Sequence, residues 1–302
     1  NVLFENNNYD EAIQEYFKTQ KNSEINLEKH SAFHNLGNSY MKKKDYAQAV
    51  DSYKNALRNN FKCIVNKGNI FDPWKNEKFD YIVCDIADRQ SIEAALLLLP
   101  VTVDVLIHVA GIAQCPPDPS QVIRVNFFGM RFLNEQLMDR ITTGGQILIV
   151  ASSAGRDWQD NQSVVAAMLA LATSDQQDRW LQEHKSSWIQ DPYKISKQCA
   201  AAYTYLASAE GRRRRIRVNC INPGITRTPL SDNFREMLGS ERYDLIVAET
   251  GRAGEPQDVA AVVELLALAD CQWMSGVEIT VDGGYFASTI ATTLNARLDN
   301  QA

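Results

Sequence analysis

Tyr193 and Lys197 stand four residues apart in Tyr193-Lys194-Ile195-Ser196-Lys197, and a Ser152-Ser153 pair closes an apolar run upstream. Residues four apart on a helix share a face, so this spacing sets an ammonium beside a phenol. A phenol ordinarily keeps its proton up to a pH of about 10. A neighbouring cation is what would let Tyr193 give and take a proton near neutrality. Ser153, shown at the carboxyl end of a strand, can hydrogen-bond a substrate oxygen as hydride arrives or leaves. Asn126, in Arg124-Val125-Asn126, is read as holding a water that relays protons to Lys197. A Tyr-x-x-x-Lys spacing alone describes many exposed helix faces; its conjunction with Ser153, Asn126 and a Pro223-Gly224 turn points to acid-base chemistry on a carbon–oxygen bond coupled to hydride transfer.

Such groups need a parallel sheet behind them, and the sequence supplies its pattern. Residues 103–109, 146–150, 216–221 and 276–281 are apolar, β-branched and bounded by Gly, Ser or Pro, which predicts buried parallel strands. Helical patterns lie between them: Ser91 is read as the cap of a helix ending at Leu99, and Pro256 and Asp258 as the first turn of a helix over 259–269. Ligands of doubly wound α/β sheets bind at the carboxyl ends of the strands.

The start of the chain is of another kind. Tyr9-Asp10-Glu11-Ala12-Ile13 with Tyr16 recurs as Tyr46-Ala47-Gln48-Ala49-Val50 with Tyr53, so small and aromatic residues return at helical spacing. With Leu36, Gly37, Tyr40 and Ala56, residues 31–60 resemble one complete tetratricopeptide repeat. Such repeats bury their faces against neighbours, and about three are needed for stability. Residues 1–60 therefore read as a helical hairpin that packs or scaffolds, with a protein-binding role as the second reading. Residues 61–65 and 79–85 read as short strands. The run from Gly68 to Trp74 followed by Lys78 to Val83 looks like the late strands of class I S-adenosylmethionine methyltransferases, although no glycine-rich loop of that family precedes it.

Residues 85–287 resemble a short-chain dehydrogenase/reductase, several of whose motifs stand in order. Asp85-Ile86 corresponds to the acidic pair that contacts adenine, and Ala110-Gly111 to the end of the Asn-Asn-Ala-Gly turn. His108 and Val109 stand in place of its two asparagines. Asn126 matches the helix asparagine, Ser153 the strand-end serine, Tyr193 and Lys197 the catalytic pair, and Pro223-Gly224 with Thr228 the nicotinamide-side loop. The resemblance implies NAD or NADP as cofactor, with Asp85, Ile86, Ala110, Gly111, Lys197, Pro223, Gly224 and Thr228 as its contacts. It also implies a Rossmann-like doubly wound parallel sheet, here preceded by the helical hairpin. The boundaries read as 1–60 and 61–302, with 61–84 atypical. A long insert, 156–191, separates serine from tyrosine as in 3α-hydroxysteroid dehydrogenase/carbonyl reductases. Its apolar helix lies beside the catalytic helix and would reshape the contacts of a homodimer. Residues 229–251 carry Leu230, Phe234, Met237, Leu238 and Tyr243, suited to a hydrophobic alcohol or ketone and equally to a core.

One part is missing. A pyrophosphate needs backbone N–H groups at a helix N-terminus, bared by glycine. Before Asp85 the only glycines are Gly37 and Gly68, in no Gly-x-x-x-Gly-x-Gly arrangement. The first strands are truncated or replaced, so dinucleotide affinity is expected to fall, and the acidic or basic residue that chooses NAD over NADP is absent. The segments abut without a Gly-, Ser- or Pro-rich linker, which reads as a composite chain.

Composition narrows the field. Over 302 residues, 45% hydrophobic and 23% charged, the net charge of −6 argues against general nucleic-acid binding, with the run Arg212 to Arg215 taken as a solvated loop. Six dispersed cysteines with no Cys-x-x-Cys pair suggest neither zinc nor disulfides, and so a reducing cytoplasm. The most apolar stretch, 94–111, is broken by Pro100 and carries Asp104 and His108, which argues against a membrane span. The chain starts without Met or a signal-peptide core and reads as a fragment. Two functions stand: a hydride-transferring oxidoreductase weakened by the lost phosphate loop, and a noncatalytic scaffold.

Overall fold

A computed structural model describes residues 3, 6, 8–22, 35–36, 39–40, 42–43, 45, 48, 62–66, 81–113, 117–228, 230–268 and 271–299. The chain divides into two compact units, 1–65 with 83–85 and 66–82 with 86–302.

In the first unit, helix α1 (Tyr9–Asn22) carries Asp10 and Glu11 in its first turn, where carboxylates suit the positive end of the helix dipole. Its Ala12, Ile13 and Tyr16 bury against Leu36, with Leu3 and Tyr40 packed on the same cluster. This is the small-and-aromatic face expected from the sequence. The recurrence at 46–60 lies almost wholly outside the described residues, as does the methyltransferase-like run 68–78. Strands β1 (Lys62–Asn66) and β2 (Tyr81–Asp85) pair as a two-stranded sheet.

The second unit is built on a four-stranded parallel sheet in the order β3-β4-β5-β6: Val103–His108, Ile141–Val150, Arg217–Pro223 and Glu278–Val281. Ile147, Leu148 and Ile149 of β4 and every residue from Arg217 to Asn222 of β5 are buried. Continuous burial, without alternation, follows from helices on both faces of a parallel sheet. On one face, α10 (Pro256–Leu268) sets Val259, Val262, Val263 and Leu266 against Leu148, Ile221 and Ile279. The opposite layer includes α2 (Arg89–Leu98), α3 (Ser120–Ile123), α4 (Met130–Leu137) and α7 (Pro192–Gly211). Helix α2 is capped by Asp88, whose carboxylate accepts from the Gln90 N–H, rather than by Ser91. The basic run forms a short 3₁₀ turn in which Arg214 binds the carbonyl of Met138 and the carboxylate of Asp139.

The insert folds as α5 (Gln162–Leu169) and α6 (Ser174–Glu183). Val165 and Met168 are buried, Met168 lies 3.7 Å from the Cys199 sulfur on α7, and Asn161 donates to Gln198 on the same helix. Arg131 of α4 donates to the carbonyls of Leu169 and Leu171. The insert thus covers part of the α4 and α7 surfaces with the chain's own residues. Helices α8 (Ser231–Leu238) and α9 (Ser240–Glu249) form the lobe beyond β5, and α11 (Tyr285–Asp299) follows β6.

Packing is tight where α3 and α4 meet the sheet. A Cβ on Gly129 would lie 1.7 Å from the Ile86 carbonyl oxygen, a backbone atom that cannot swing aside. We expect Gly129→Ala to cost about 3 kcal/mol of folding stability, read as a lowered urea midpoint; a loss below about 1 kcal/mol would show that this junction is looser than described.

Candidate active site

The carboxyl ends of β4 and β5 open into an apolar cavity of about 550 Å³ whose lining includes Gly111, Ser152, Ser153, Tyr193, Lys197 and Gly224. Tyr193 and Lys197 reach it because α7 begins where it does. Asp191 caps the helix by accepting from the Lys194 N–H, and Pro192 occupies the first turn, where its missing N–H is not needed. Both side chains are buried, at 7% and 6% exposure. The Lys197 ammonium lies 5.7 Å from the Tyr193 ring centre and donates to the Val150 carbonyl at the end of β4.

Burial dominates the ionisation of both. It pushes the Tyr193 phenol up to about 12, against which a hydrogen bond with the Ser152 side chain works in the lowering direction. It pulls Lys197 down to about 8. For Tyr193 removal from water is the larger influence, and the Asp191 carboxylate adds to it.

Ser152 and Ser153 both border the cavity with Tyr193. The Ser152 backbone is still extended, and its hydroxyl accepts from the Ala154 N–H, so it starts the turn over Ser153–Gly155. Ser153 borders the same cavity one residue further on, its carbonyl accepting from Arg156. Gly155 lies so near α7 that a Cβ would come 2.6 Å from the Lys197 carbonyl, which fixes the turn that carries both serines.

Asn126 sits in a π-helical turn, Arg124–Gly129, between α3 and α4. Such turns often mark functional positions. Its amide accepts from the Ile112 N–H and donates to the Ile112 carbonyl and the Ser196 hydroxyl, tying the turn after β3 to the catalytic helix. A Cβ on Gly111 would lie 3.3 Å from both the Asn126 carbonyl oxygen and the Lys197 ammonium, so the two head groups converge where only glycine leaves room. Behind them His108 is buried; burial first, and the Lys197 charge second, pull its imidazole down to about 4, leaving it neutral near pH 7.

The other expected residues divide. Gly111, Pro223, Gly224 and Thr228 border the cavity, and Ala110 lies in the turn beside it. Gly224 is small for a reason other than a ligand: a Cβ there would come 2.6 Å from that of Asp282, the residue that caps the Gly284 and Phe286 N–H groups. Asp85 ends β2 in the first unit. Ile86 is buried under Gly129 and borders a separate, polar cavity of about 680 Å³ with Arg89, Asp118 and Arg124, so the structure does not bring it to Tyr193. Leu230, Phe234, Met237 and Leu238 face the site, Phe234 edge-on to Tyr193 with ring centres 5.2 Å apart. Tyr243 is absent from the lining and stands under Arg235.

A nicotinamide ring and its ribose fit these residues: Gly111 leaves the space, Lys197 and Thr228 offer donors, and the apolar wall suits a planar ring. The described lining holds no second cation to meet phosphates. No helix among the described residues is long and apolar enough to cross a membrane.

Comparison with known proteins agrees with this geometry. Residues 54–168 match the family described as short chain dehydrogenase, residues 180–286 the one described as enoyl-(acyl carrier protein) reductase, and residues 30–63 the tetratricopeptide repeat. The coniferyl-alcohol dehydrogenase of a Pseudomonas species is 29% identical over 69% of this chain and 81% of its own. The 3-alpha-hydroxysteroid dehydrogenase/carbonyl reductase of Comamonas testosteroni is 26% identical over 65% of this chain and 77% of its own. Other curated relatives match over a shorter stretch, as does a tropinone reductase homologue of Arabidopsis thaliana, 32% identical over 36% of its length. Among solved structures, a 3-alpha-hydroxysteroid dehydrogenase of Pseudomonas sp. B-0831 complexed with NADH has a TM-score of 0.57 and 24% identity, covering 69% of this chain and 84% of that one. Levodione reductase has a TM-score of 0.54 and 20% identity, over 80% and 84%. The fold is the Rossmann-like fold of the short-chain dehydrogenases.

The buried ammonium has a measurable consequence. An unfolded lysine holds its proton to about pH 10.4, whereas Lys197 in the fold loses it near 8. Between those values the unfolded chain binds more protons, so this group makes the folded state more stable as pH rises. Relative to Lys197→Met, the parent should gain about 3 kcal/mol from pH 7 to 10.5 in urea titrations. A stability gap independent of pH would contradict burial as the cause.

Proposed function

We propose that this chain, which carries short-chain dehydrogenase sequence on both sides of its insert, is an oxidoreductase interconverting a hydrophobic secondary alcohol and its ketone. The observation that carries the reading is one apolar cavity lined by Tyr193, Lys197, Ser152 and Ser153, with the Lys197 ammonium 5.7 Å from the Tyr193 ring centre. A nicotinamide cofactor, NAD or NADP, supplies or removes the hydride when bound, held by Lys197, Gly111, Pro223, Gly224 and Thr228. In the reducing direction Tyr193 donates its phenolic proton to the carbonyl oxygen. Its high pKa keeps that proton in place until charge develops on the substrate. Ser152 orients the same oxygen by hydrogen bond. Lys197 is placed to hold the cofactor ribose and to stabilise the phenolate left behind, and Asn126 fixes the turn that positions both.

Leu230, Phe234, Met237 and Leu238 support a steroid-like or other bulky apolar substrate. The named activities of the coniferyl-alcohol and 3-alpha-hydroxysteroid dehydrogenases support the same class. The insert across α4 and α7 favours a homodimer formed through other surfaces. The reading includes a cytoplasmic setting, supported by the free thiols of Cys199, Cys220 and Cys271. The stretch from Gly68 to Val83 falls inside the short-chain dehydrogenase match, and methyltransferase chemistry has no part in this proposal. The tetratricopeptide match and the Ala12–Leu36 packing support a second role for residues 1–60, docking or scaffolding a protein partner.

The two serines separate the roles. Ser152→Ala should lower kcat for ketone reduction by about 100-fold or more, and Ser153→Ala by less than about threefold, in steady-state assays beside Tyr193→Phe as the inactive reference. Equal losses at the two serines, or a fully active Tyr193→Phe, would overturn the assignment.

A further inference from the structure

A dinucleotide is held at two ends, and the cavity offers partners for one. Recognition of a diphosphate needs bared backbone N–H groups or cations, each charge-assisted bond being worth about tenfold in affinity. Along the cavity's described lining Lys197 is the sole cation, and it sits at the Tyr193 end. The wall supplied by α10 consists of Pro256, Val259, Ala260, Val263 and the carboxylate of Glu264. At the start of this helix Pro256 has no N–H, the Glu255 N–H is taken by the Asp258 carboxylate and the Asp258 N–H by the Glu255 carbonyl. At the start of α8 the Leu230 N–H goes to the Thr228 hydroxyl and the Ser231 N–H to the Thr228 carbonyl. Among the described residues strand β3, which ends three residues before Gly111, is an edge of its sheet, and no Gly-rich phosphate turn stands between Asn1 and Asp85 in the sequence.

We propose that this site recognises its hydride carrier by the nicotinamide and its ribose alone, so that reduced nicotinamide mononucleotide binds as well as the dinucleotide. The proposal rests on the oxidoreductase reading and narrows its cofactor class. The adenosine half of NADH adds no attraction.

The test uses the full chain, titrated separately with NADH and with reduced nicotinamide mononucleotide by nicotinamide fluorescence, and with ADP-ribose as competitor. The expected result is two dissociation constants within fivefold of each other, with no displacement of the mononucleotide by ADP-ribose. A preference for NADH greater than fivefold, or displacement by ADP-ribose, would overturn this inference and leave the oxidoreductase reading standing. Binding of neither carrier, together with no ketone reduction, would overturn both.

Discussion

The Lys197 ammonium is held where water scarcely reaches it, and much of the site is arranged around that constraint. An isolated buried charge is unfavourable by several kcal/mol in proteins, and here it is offset in part by the Val150 carbonyl. Two glycines make the position possible. Gly155 lets the turn after β4 lie against the lysine backbone, and Gly111 leaves room beside its head group. The Asn126 bridge and the cavity wall formed by Ser152, Ser153 and Tyr193 are built on that same junction. A low local polarity strengthens each of these contacts and raises the penalty for any group left unpaired.

The same low polarity bears on substrate choice. Phe234 closes one side of Tyr193, and Leu230, Met237 and Leu238 extend an apolar wall from it. A polar molecule would lose hydration there without replacement, whereas in the proposed reaction an apolar alcohol or ketone would have one oxygen to present to Tyr193 and the neighbouring serines. Beside α7 the insert acts as cladding: Met168 and Val165 bury against the molecule and Asn161 binds Gln198, which holds the catalytic helix by packing remote from the reacting atoms.

Much of this was legible in the sequence because it rests on local rules. Apolar runs predicted β3 to β6 within a few residues, and Asp191-Pro192 followed by the Tyr193/Lys197 pair sets both groups on one helix face. What escaped depended on through-space contacts. Ser152 and Ser153 are chemically identical neighbours that border one cavity, and the turn carrying both is set by the packing of Gly155 on α7. Asp88 rather than Ser91 caps α2, its carboxylate accepting from the Gln90 N–H. Gly224 borders the cavity and is also hemmed in by Asp282, a contact that no spacing shows. The opposing pulls on Tyr193 and Lys197 could not be read from a spacing, since burial decides them.

The central claim is that Tyr193 passes a proton to the oxygen of a ketone whose carbon receives a hydride from a nicotinamide. It is tested most directly by single-turnover reduction of a hydrophobic ketone with reduced nicotinamide mononucleotide or NADH deuterated at C4, the alcohol being analysed by mass spectrometry. The account predicts one deuterium on the carbinol carbon with the parent chain and none with Tyr193→Phe. Absence of deuterium in the parent's product, or equal transfer by the Tyr193→Phe chain, would contradict it.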